Sequence, residues 1–147
     1  TNATVMGIDE CKEFVEICLK RGKDVCQGDM CNLPYNHSSF DTLLSIASFH
    51  HLATEARRIK ALQEMRRVIK PGGKLLLSVW SKNQPLKAKQ KFTKYGDTIV
   101  KWNKFGMTYD RYYYIFRINE LKCLFSSCGW HIEKHFWDYG NEIFILY

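Results

Sequence analysis

Short apolar runs alternate with stretches of helical spacing in the first part of the chain. Residues 5–8 and 23–28 are predicted to form short strands, and residues 10–20 between them have apolar positions three or four apart. The helical positions are Phe14, Val15, Cys18 and Leu19. Gly22 is suited to end this helix, because glycine readily adopts the left-handed conformation that follows many helices. The pattern predicts a strand, a helix and a second strand in succession.

The middle of the chain repeats this alternation with longer elements. Residues 40–49 are strongly apolar and predict a buried central strand. A long helix is predicted from Thr54 to about Ile69, and Pro71-Gly72-Gly73 predicts a tight turn after it. Residues 74–80 are again apolar, so we expect a further strand there.

The last third of the chain joins a polar segment to aromatic and apolar runs. Residues 81–104 are rich in lysine and have no clear period, which predicts an insertion-like or mobile segment. An aromatic run covers residues 111–116, and Asn119 is expected to cap a short helix that ends near Ser127. Residues 130–137 and 142–147 predict two strands, and the connection between them is too short for a crossover helix.

These elements predict one α/β domain over residues 1–147, of a size that suits a single hydrophobic core. We expect a mostly parallel sheet with helices on both faces and an antiparallel closing strand. The first residues do not resemble the start of a domain, so we also expect the domain to be incomplete at its N-terminal end. No apolar run is long enough to span a membrane, and no membrane contact is predicted.

The net charge suggests a class of partner, and the cysteine pattern suggests a cellular compartment. The formal net charge of +7 favours an anionic partner such as nucleic acid, although a solubilising surface explains it equally well. Four of the six cysteines lie in helical or strand-like apolar patterns, as buried thiols do in reduced proteins. We therefore expect a cytoplasmic protein, with the nucleus as an alternative.

One group of cysteines and histidines looks like a metal site at first. Cys123-x4-Cys128 is followed by His131-x3-His135, but the two pairs are too close together for a zinc finger. The histidines also fall in a strand pattern. We predict no metal in this chain.

Two acidic residues follow consecutive predicted strands. Asp9 comes after the first strand and Asp29 after the second. In a doubly wound sheet, ligands bind at the carboxyl ends of the strands, where an acid can hold ribose hydroxyls or an adenine amino group. Met30 is placed to pack on the ring. Asp9 as a helix cap and Asp29 as a turn residue are the simpler explanations.

The apolar run of residues 40–49 leads into small residues and two histidines. Ser45, Ala47 and Ser48 would let a cofactor approach the backbone, and His50 and His51 would face the cleft. A structural role at the start of the next helix is equally compatible with the pair. Arg111-Tyr112-Tyr113-Tyr114 further on suits base stacking and phosphate contact, although such aromatic runs are more often part of a core.

Several short runs, taken together, resemble one family. The general ones are Asp9, Asp29, Leu33-Pro34, Phe40-Asp41, Ser45-Ile46-Ala47, His50-His51 and Pro71-Gly72-Gly73. The narrower ones are the whole run of residues 45–54, Arg57-Arg58, residues 61–64, residues 79–84, Arg111-Tyr112-Tyr113, Phe116-Arg117 and Glu120-Leu121. Their order resembles that of the eukaryotic methyltransferases of the tRNA wobble carboxymethyluridine, a group that includes the domain fused to an AlkB-like oxygenase.

The resemblance implies a fold, an activity and partners. The fold would be that of the Rossmann-like methyltransferases that use S-adenosylmethionine (SAM). The reaction would convert 5-carboxymethyluridine at the anticodon wobble position of tRNA into its methyl ester. A small zinc-binding activator protein would form a heterodimer with the chain.

The resemblance also implies roles for individual residues. It places Asp9, Asp29, Met30, Ser45 and Ala47 at the cofactor. It makes His50, His51 and Arg111 the candidates for orienting the substrate carboxylate. The remaining residues expected on the substrate and RNA side are Arg57, Trp80, Tyr112, Lys87, Lys89 and Lys91.

The chain departs from the family pattern at several points. The sequence contains no Asp-x-Gly-Cys-Gly-x-Gly loop and no strand before it, which in the family hold the methionine part of SAM. Tyr114 replaces a histidine, Ile118-Asn119 replaces Glu-Gly, and a usual tryptophan after Gly140-Asn141 is Glu142. Two alternatives therefore stay open: a non-catalytic scaffold for RNA or the activator, and a SAM-dependent methyltransferase of small molecules.

Overall fold

The computed structural model describes residues 3–88 and 91–147, and three helices and eight strands lie within them. In chain order these are β1 Gly7–Asp9, α1 Lys12–Lys20, β2 Val25–Gln27, β3 Phe40–Ile46, α2 Glu55–Val68, β4 Ile69–Trp80, β5 Gly96–Lys104, β6 Met107–Ile115, α3 Ile118–Ser127, β7 Ile132–Asp138 and β8 Asn141–Leu146. A 3₁₀ turn at Phe49–His51 follows β3. The predicted alternation of strands and helices is confirmed.

Local chemistry explains where the helices begin and end. The Asp9 carboxylate accepts a hydrogen bond from the Cys11 backbone N–H at 2.8 Å, just before α1 begins. The Thr54 hydroxyl accepts one from the Arg57 N–H at 3.3 Å and so caps α2, as predicted. Asn119 does not cap α3: the cap is Arg117, whose backbone N–H is bound by the Glu120 carboxylate.

The strands form three separate sheets. β1 pairs in parallel with β2, and β5 pairs with β6 as an antiparallel hairpin. The third sheet has the order β3-β4-β8-β7, in which β3 and β4 are parallel and β8 is antiparallel to both of its neighbours. The predicted antiparallel closing pair is thus confirmed. Parallel pairing extends less far than expected, because the two parallel pairs are not joined to each other.

β3 is an edge strand rather than the buried central strand that its sequence predicted. Leu44 is 65% exposed and Ile46 is 59% exposed. Successive side chains of a strand point to opposite faces, so these two share the face away from the core, whereas Leu43 and Ser45 face it. An apolar run alone does not distinguish a strand covered on both faces from one covered on a single face.

The main core lies between the β4 and β8 strands and the two helices α2 and α3. Leu77 and Phe144 from the sheet and Leu62 and Phe125 from the helices are fully buried there. The indole N–H of Trp130, just before β7, donates to the Leu62 carbonyl at 3.1 Å and ties the closing strands to α2. α1 instead packs against β1 and β2. We had expected helices on both faces of one sheet. Among the described residues, α2 and α3 pack on the four-stranded sheet and α1 packs on the β1–β2 pair instead.

Part of the segment predicted to be irregular is regular. Residues 96–104 form β5, which pairs along its whole length with β6. Phe105 and Gly106 both have positive φ, at 53° and 74°, and make the two-residue turn that suits the twist of a hairpin. The lysine-rich composition of this segment obscured its strand pattern. The predicted aromatic run belongs to β6.

The cysteines, the possible membrane spans and the possible metal ligands can be compared with the sequence predictions. All six thiols are free, but Cys31 is the one cysteine among them that is buried. No described helix is long and apolar enough to cross a membrane. Among residues 3–88 and 91–147, no three histidine, cysteine or acidic side chains come close enough together to hold a metal ion.

Candidate functional site

The two predicted cofactor acids lie side by side. β1 and β2 are parallel neighbours, with Asp9 in register with Gln27, so Asp9 and Asp29 follow the same edge of this small sheet. Each carboxylate accepts a backbone N–H two residues ahead, from Cys11 and from Cys31, both at 2.8 Å. These bonds orient both side chains before any ligand is present.

Asp29 has a second partner that the sequence did not reveal. Its other oxygen binds the guanidinium of Arg57 at 3.0 Å. The pKa of Asp29 is lowered, first by the Cys31 N–H and then by Arg57, so the carboxylate is ionised at neutral pH. Arg57 was expected on the substrate side; the structure pairs it with Asp29, because the start of α2 lies beside the loop after β2.

The loop that carries Met30 is fastened to α2. The buried Glu64 carboxylate accepts the Leu33 N–H at 2.9 Å and is bound by Arg67 at 2.6 Å. Arg67 also donates to the carbonyls of Leu33 and Tyr35. Met30 packs partly against the main core from this loop. The loop is therefore held in place by charge-assisted hydrogen bonds at both of its sides.

The end of β3 has unusual backbone and side-chain features. Ala47 has a φ of 53°, a backbone angle that residues other than glycine rarely adopt. Its N–H donates to the Ser78 hydroxyl at 3.1 Å. Ser45 faces the core, and its buried hydroxyl has no hydrogen-bond partner among the described residues. The small side chains of Ser45 and Ala47 leave the predicted cofactor contact possible, and that contact stays a prediction.

His50 is the most constrained of the predicted catalytic residues. It is 1% exposed, and its Nδ1 accepts the Trp80 backbone N–H at 3.0 Å. Burial, together with the charges of His51 and Arg111, lowers its pKa to about 3. The ring is therefore neutral at physiological pH and carries its proton on Nε2. That buried Nε2 has no partner among residues 3–88 and 91–147, so it is a donor without an acceptor there.

His51 has the opposite arrangement. Its Nδ1 lies 2.7 Å from the Tyr112 carbonyl, which only accepts, so Nδ1 carries a proton. Burial lowers the pKa of His51, Arg111 lowers it further, and the bond to Tyr112 opposes both effects. In the neutral ring, Nε2 of His51 has the lone pair. The two adjacent histidines thus offer one donor and one acceptor.

An aromatic wall stands beside the histidines. The rings of Trp80 and Tyr113 are stacked with centroids 4.3 Å apart and an interplanar angle of 6°. Tyr113 also lies 5.0 Å from the His50 ring and 4.5 Å from the His51 ring. The exposed Arg111 guanidinium lies 5.6 Å from the Tyr113 ring centroid. The structure therefore brings His50, His51, Trp80 and Arg111 together, as predicted, and adds Tyr113.

Tyr112 and Arg58 contact the backbone that follows the two histidines. The Tyr112 hydroxyl donates its hydrogen to the Asp97 carboxylate, and its oxygen lies 3.2 Å from the Ala53 carbonyl oxygen. Burial and the hydrogen bond to Asp97 raise the pKa of Tyr112 to about 12. Arg58 is buried, donates to the carbonyls of Leu52 and Ala53, and lies 3.6 Å above the Tyr114 ring. Sequence reasoning missed Arg58, because an arginine next to another on a helix ordinarily faces solvent.

Two of the three predicted RNA-binding lysines lie in the described part of the chain. Lys87 is exposed. The Lys91 ammonium contacts the backbone carbonyls of Pro85 and Leu86. Lys89 lies outside the described residues. A cavity of about 690 Å³ is an open groove whose lining includes Lys91, Lys94, residues 97–99 and Tyr112 but not the histidine rings. The buried donor of His50 indicates the chemistry better than this groove does.

The pKa of His50 gives a test through stability. Between pH 6.5 and 3 the unfolded chain binds a proton at His50 that the folded chain does not, so the free energy of unfolding falls with decreasing pH. We expect His50→Gln to remove up to about 1.4 kcal/mol per pH unit of this loss between pH 6 and 4. Urea denaturation at each pH measures it, with the exposed His131→Gln as control. Parallel pH curves for His50→Gln and the unmodified chain would contradict the assignment.

Comparison with known proteins shows the family to which the chain belongs. Residues 1–77 match a family described as a methyltransferase domain. A probable tRNA methyltransferase 9B from Bos taurus is 41% identical over 99 residues, which are 67% of this chain and 21% of that protein. The tRNA (carboxymethyluridine(34)-5-O)-methyltransferase of Schizosaccharomyces pombe is 32% identical over 162 residues, covering 95% of this chain and 70% of the yeast protein.

A solved structure shows the same fold. A SAM-dependent methyltransferase from Methanosarcina mazei superimposes with a TM-score of 0.78 at 19% identity, over 97% of this chain and 80% of that one. The predicted Rossmann-like α/β fold is thereby confirmed. The chain spans about a fifth of the length of the Bos taurus relative. It belongs to the methyltransferase family that contains the tRNA (carboxymethyluridine(34)-5-O)-methyltransferases.

Proposed function

We propose that this chain transfers a methyl group from SAM to the carboxylate of 5-carboxymethyluridine at the tRNA wobble position. The observation that carries the proposal is the buried, unpaired Nε2–H of His50 beside the Arg111 cation. Both groups suit an anionic acceptor, and the family to which the chain belongs supports the choice of a carboxylate on tRNA.

The residues at the edge of the β1–β2 sheet fit the adenosine part of SAM. Asp9 would bind the ribose hydroxyls, and Asp29 with Met30 would hold the adenine ring. Both acids are already oriented by backbone N–H groups. Arg57 occupies one oxygen of Asp29, so an adenine amino group would share that carboxylate with Arg57. SAM would supply the methyl group on its sulfonium.

The acceptor needs positioning rather than a base. A carboxylate is ionised at neutral pH, so no side chain has to remove a proton from it. One carboxylate oxygen forms the bond to the methyl carbon as the carbon–sulfur bond breaks, which leaves S-adenosylhomocysteine. A neutral donor such as His50 holds the second oxygen without neutralising the charge. Arg111 would bring the carboxylate to the site, and Trp80 with Tyr113 would exclude water from it.

The proposal extends to the partners of the chain. The net charge of +7 supports binding of tRNA phosphates, with Lys87, Lys89 and Lys91 as proposed contacts. The exposed apolar side chains Phe14 and Ile17 of α1 support a protein partner, for which we propose the small zinc-binding activator. The free thiols support a cytoplasmic location, with the nucleus as the alternative.

The direct test is methyl transfer to tRNA. We expect label from methyl-labelled SAM to enter tRNA that carries 5-carboxymethyluridine, and not tRNA with an unmodified wobble uridine, in assays with and without the activator. Mild alkali should release the label as methanol, because methyl esters hydrolyse and ring-methylated bases do not. Binding of SAM and tRNA without transfer would favour the scaffold instead. Equal transfer to the free nucleoside would favour a small-molecule enzyme.

The cofactor side has a separate test. Asp9→Ala removes the proposed ribose ligand and should weaken binding of S-adenosylhomocysteine at least about tenfold by calorimetry. Asp24→Ala is the matched control, because Asp24 is exposed and lies at the other end of β2. Equal affinities for the two variants would remove Asp9 from the cofactor site.

A further inference from the structure

The hairpin of β5 and β6 has two chemically different faces. Alternate residues of a strand share a face, and the cross-strand pairs place Val100 opposite Arg111 and Trp102 opposite Tyr109. The face that carries these four residues also carries Tyr113, which packs on Trp80 and the histidines. This face therefore runs from the site along the hairpin. Near the site Val100 and Tyr113 are buried with Phe92, and towards the turn the face is exposed.

Aromatic rings and cations alternate along that surface. Tyr113 is stacked on Trp80, and the Arg111 guanidinium lies 5.6 Å from the Tyr113 centroid and 5.3 Å from that of Trp102. The Lys104 ammonium lies 5.0 Å from the Trp102 centroid. We call the series Trp80, Tyr113, Arg111, Trp102 and Lys104 the ladder. Tyr113 is buried and Trp80 is partly buried, whereas Trp102 is 44% exposed.

Acidic groups of the hairpin are kept off this face. Asp97 and Asp110 are both at positions that point to the opposite face, together with Tyr112 and Lys101. The ladder face has the cations Lys104 and Arg111 and no carboxylate from β5 or β6. The segregation of charge makes this one face of the hairpin suitable for a polyanion.

We propose that the ladder binds unpaired nucleotides of RNA that flank the nucleotide in the site. Bases would stack on Trp102 and on the neighbouring Tyr109, which is 42% exposed, while phosphates contact Arg111 and Lys104. Alternating aromatic and cationic side chains are the usual means of holding single strands, because every base has a face to stack. Duplex RNA has no free base faces and fits the ladder poorly. The inference deepens the proposed function and rests on it.

The stacking contact is tested by substituting Trp102 and Ile99, two exposed apolar residues on opposite faces of the hairpin. The probes are a ten-nucleotide single strand of uridine and an anticodon stem-loop RNA. We expect Trp102→Ala to weaken binding of both about 5- to 150-fold, and Trp102→Phe to weaken it less. Ile99→Ala, on the opposite face and 57% exposed, should bind like the unmodified chain. Circular dichroism of each variant checks that the hairpin is intact.

The phosphate contact is tested by two lysines of the same strand. Lys104→Gln should reduce the slope of log affinity against log salt concentration by about 0.7, the value for one phosphate contact on a single strand. Lys101→Gln, on the other face, should leave the slope unchanged.

The outcomes separate this inference from the proposed function. Equal RNA affinity of Trp102→Ala and Ile99→Ala overturns the ladder, as does equal affinity for single strands and duplexes. Both results leave the proposed function intact if the unmodified chain still binds the stem-loop. Failure of the unmodified chain to bind the stem-loop, while it binds S-adenosylhomocysteine, would instead contradict tRNA as the substrate.

Discussion

The backbone N–H of Trp80 donates a hydrogen bond to Nδ1 of His50, and this bond joins three parts of the fold. It connects the end of β4 to the turn that follows β3. It also fixes the orientation of the His50 ring. Tyr113 of the hairpin packs against both this ring and the Trp80 ring. Because the bond occupies Nδ1, it determines that the one proton of the neutral ring is on Nε2. Structure and chemistry therefore depend on the same contact.

The electrostatics of the site follow from that arrangement. Arg111 lies close enough to both histidines to lower their pKa, so its fixed charge makes the wall positive while the buried rings stay neutral. A site built in this way attracts an anion without donating a proton to it. On the other side, Asp29 is ionised and already paired with Arg57. The β1–β2 sheet thus ends in an ion pair, whereas the histidine wall carries the cation Arg111.

The sequence predicted the features that depend on local pattern, and missed those that depend on packing. Asp9 and Asp29 were predicted correctly as strand-end acids, because each comes at or just after the end of a predicted strand. The edge position of β3 was not predictable, since Leu44 and Ile46 look the same whether or not a neighbour covers them. Strand β5 was missed because both of its faces are exposed towards the turn. Polar residues therefore occur on both faces there, and the sequence shows no alternation of apolar and polar positions. The different roles of His50 and His51 require the partners of each nitrogen.

The central claim is that His50 is a neutral Nε2–H donor in the folded protein. Imidazole nitrogen NMR of the histidine-labelled chain tests it most directly, with the His50→Gln spectrum to assign the resonances. We expect a protonated Nε2 and an unprotonated Nδ1 from pH 5 to 8, with no titration of that ring. The Nε2–H resonance should shift when carboxymethylated RNA binds. Titration of His50 near pH 6.5, or a proton on Nδ1, would contradict the account.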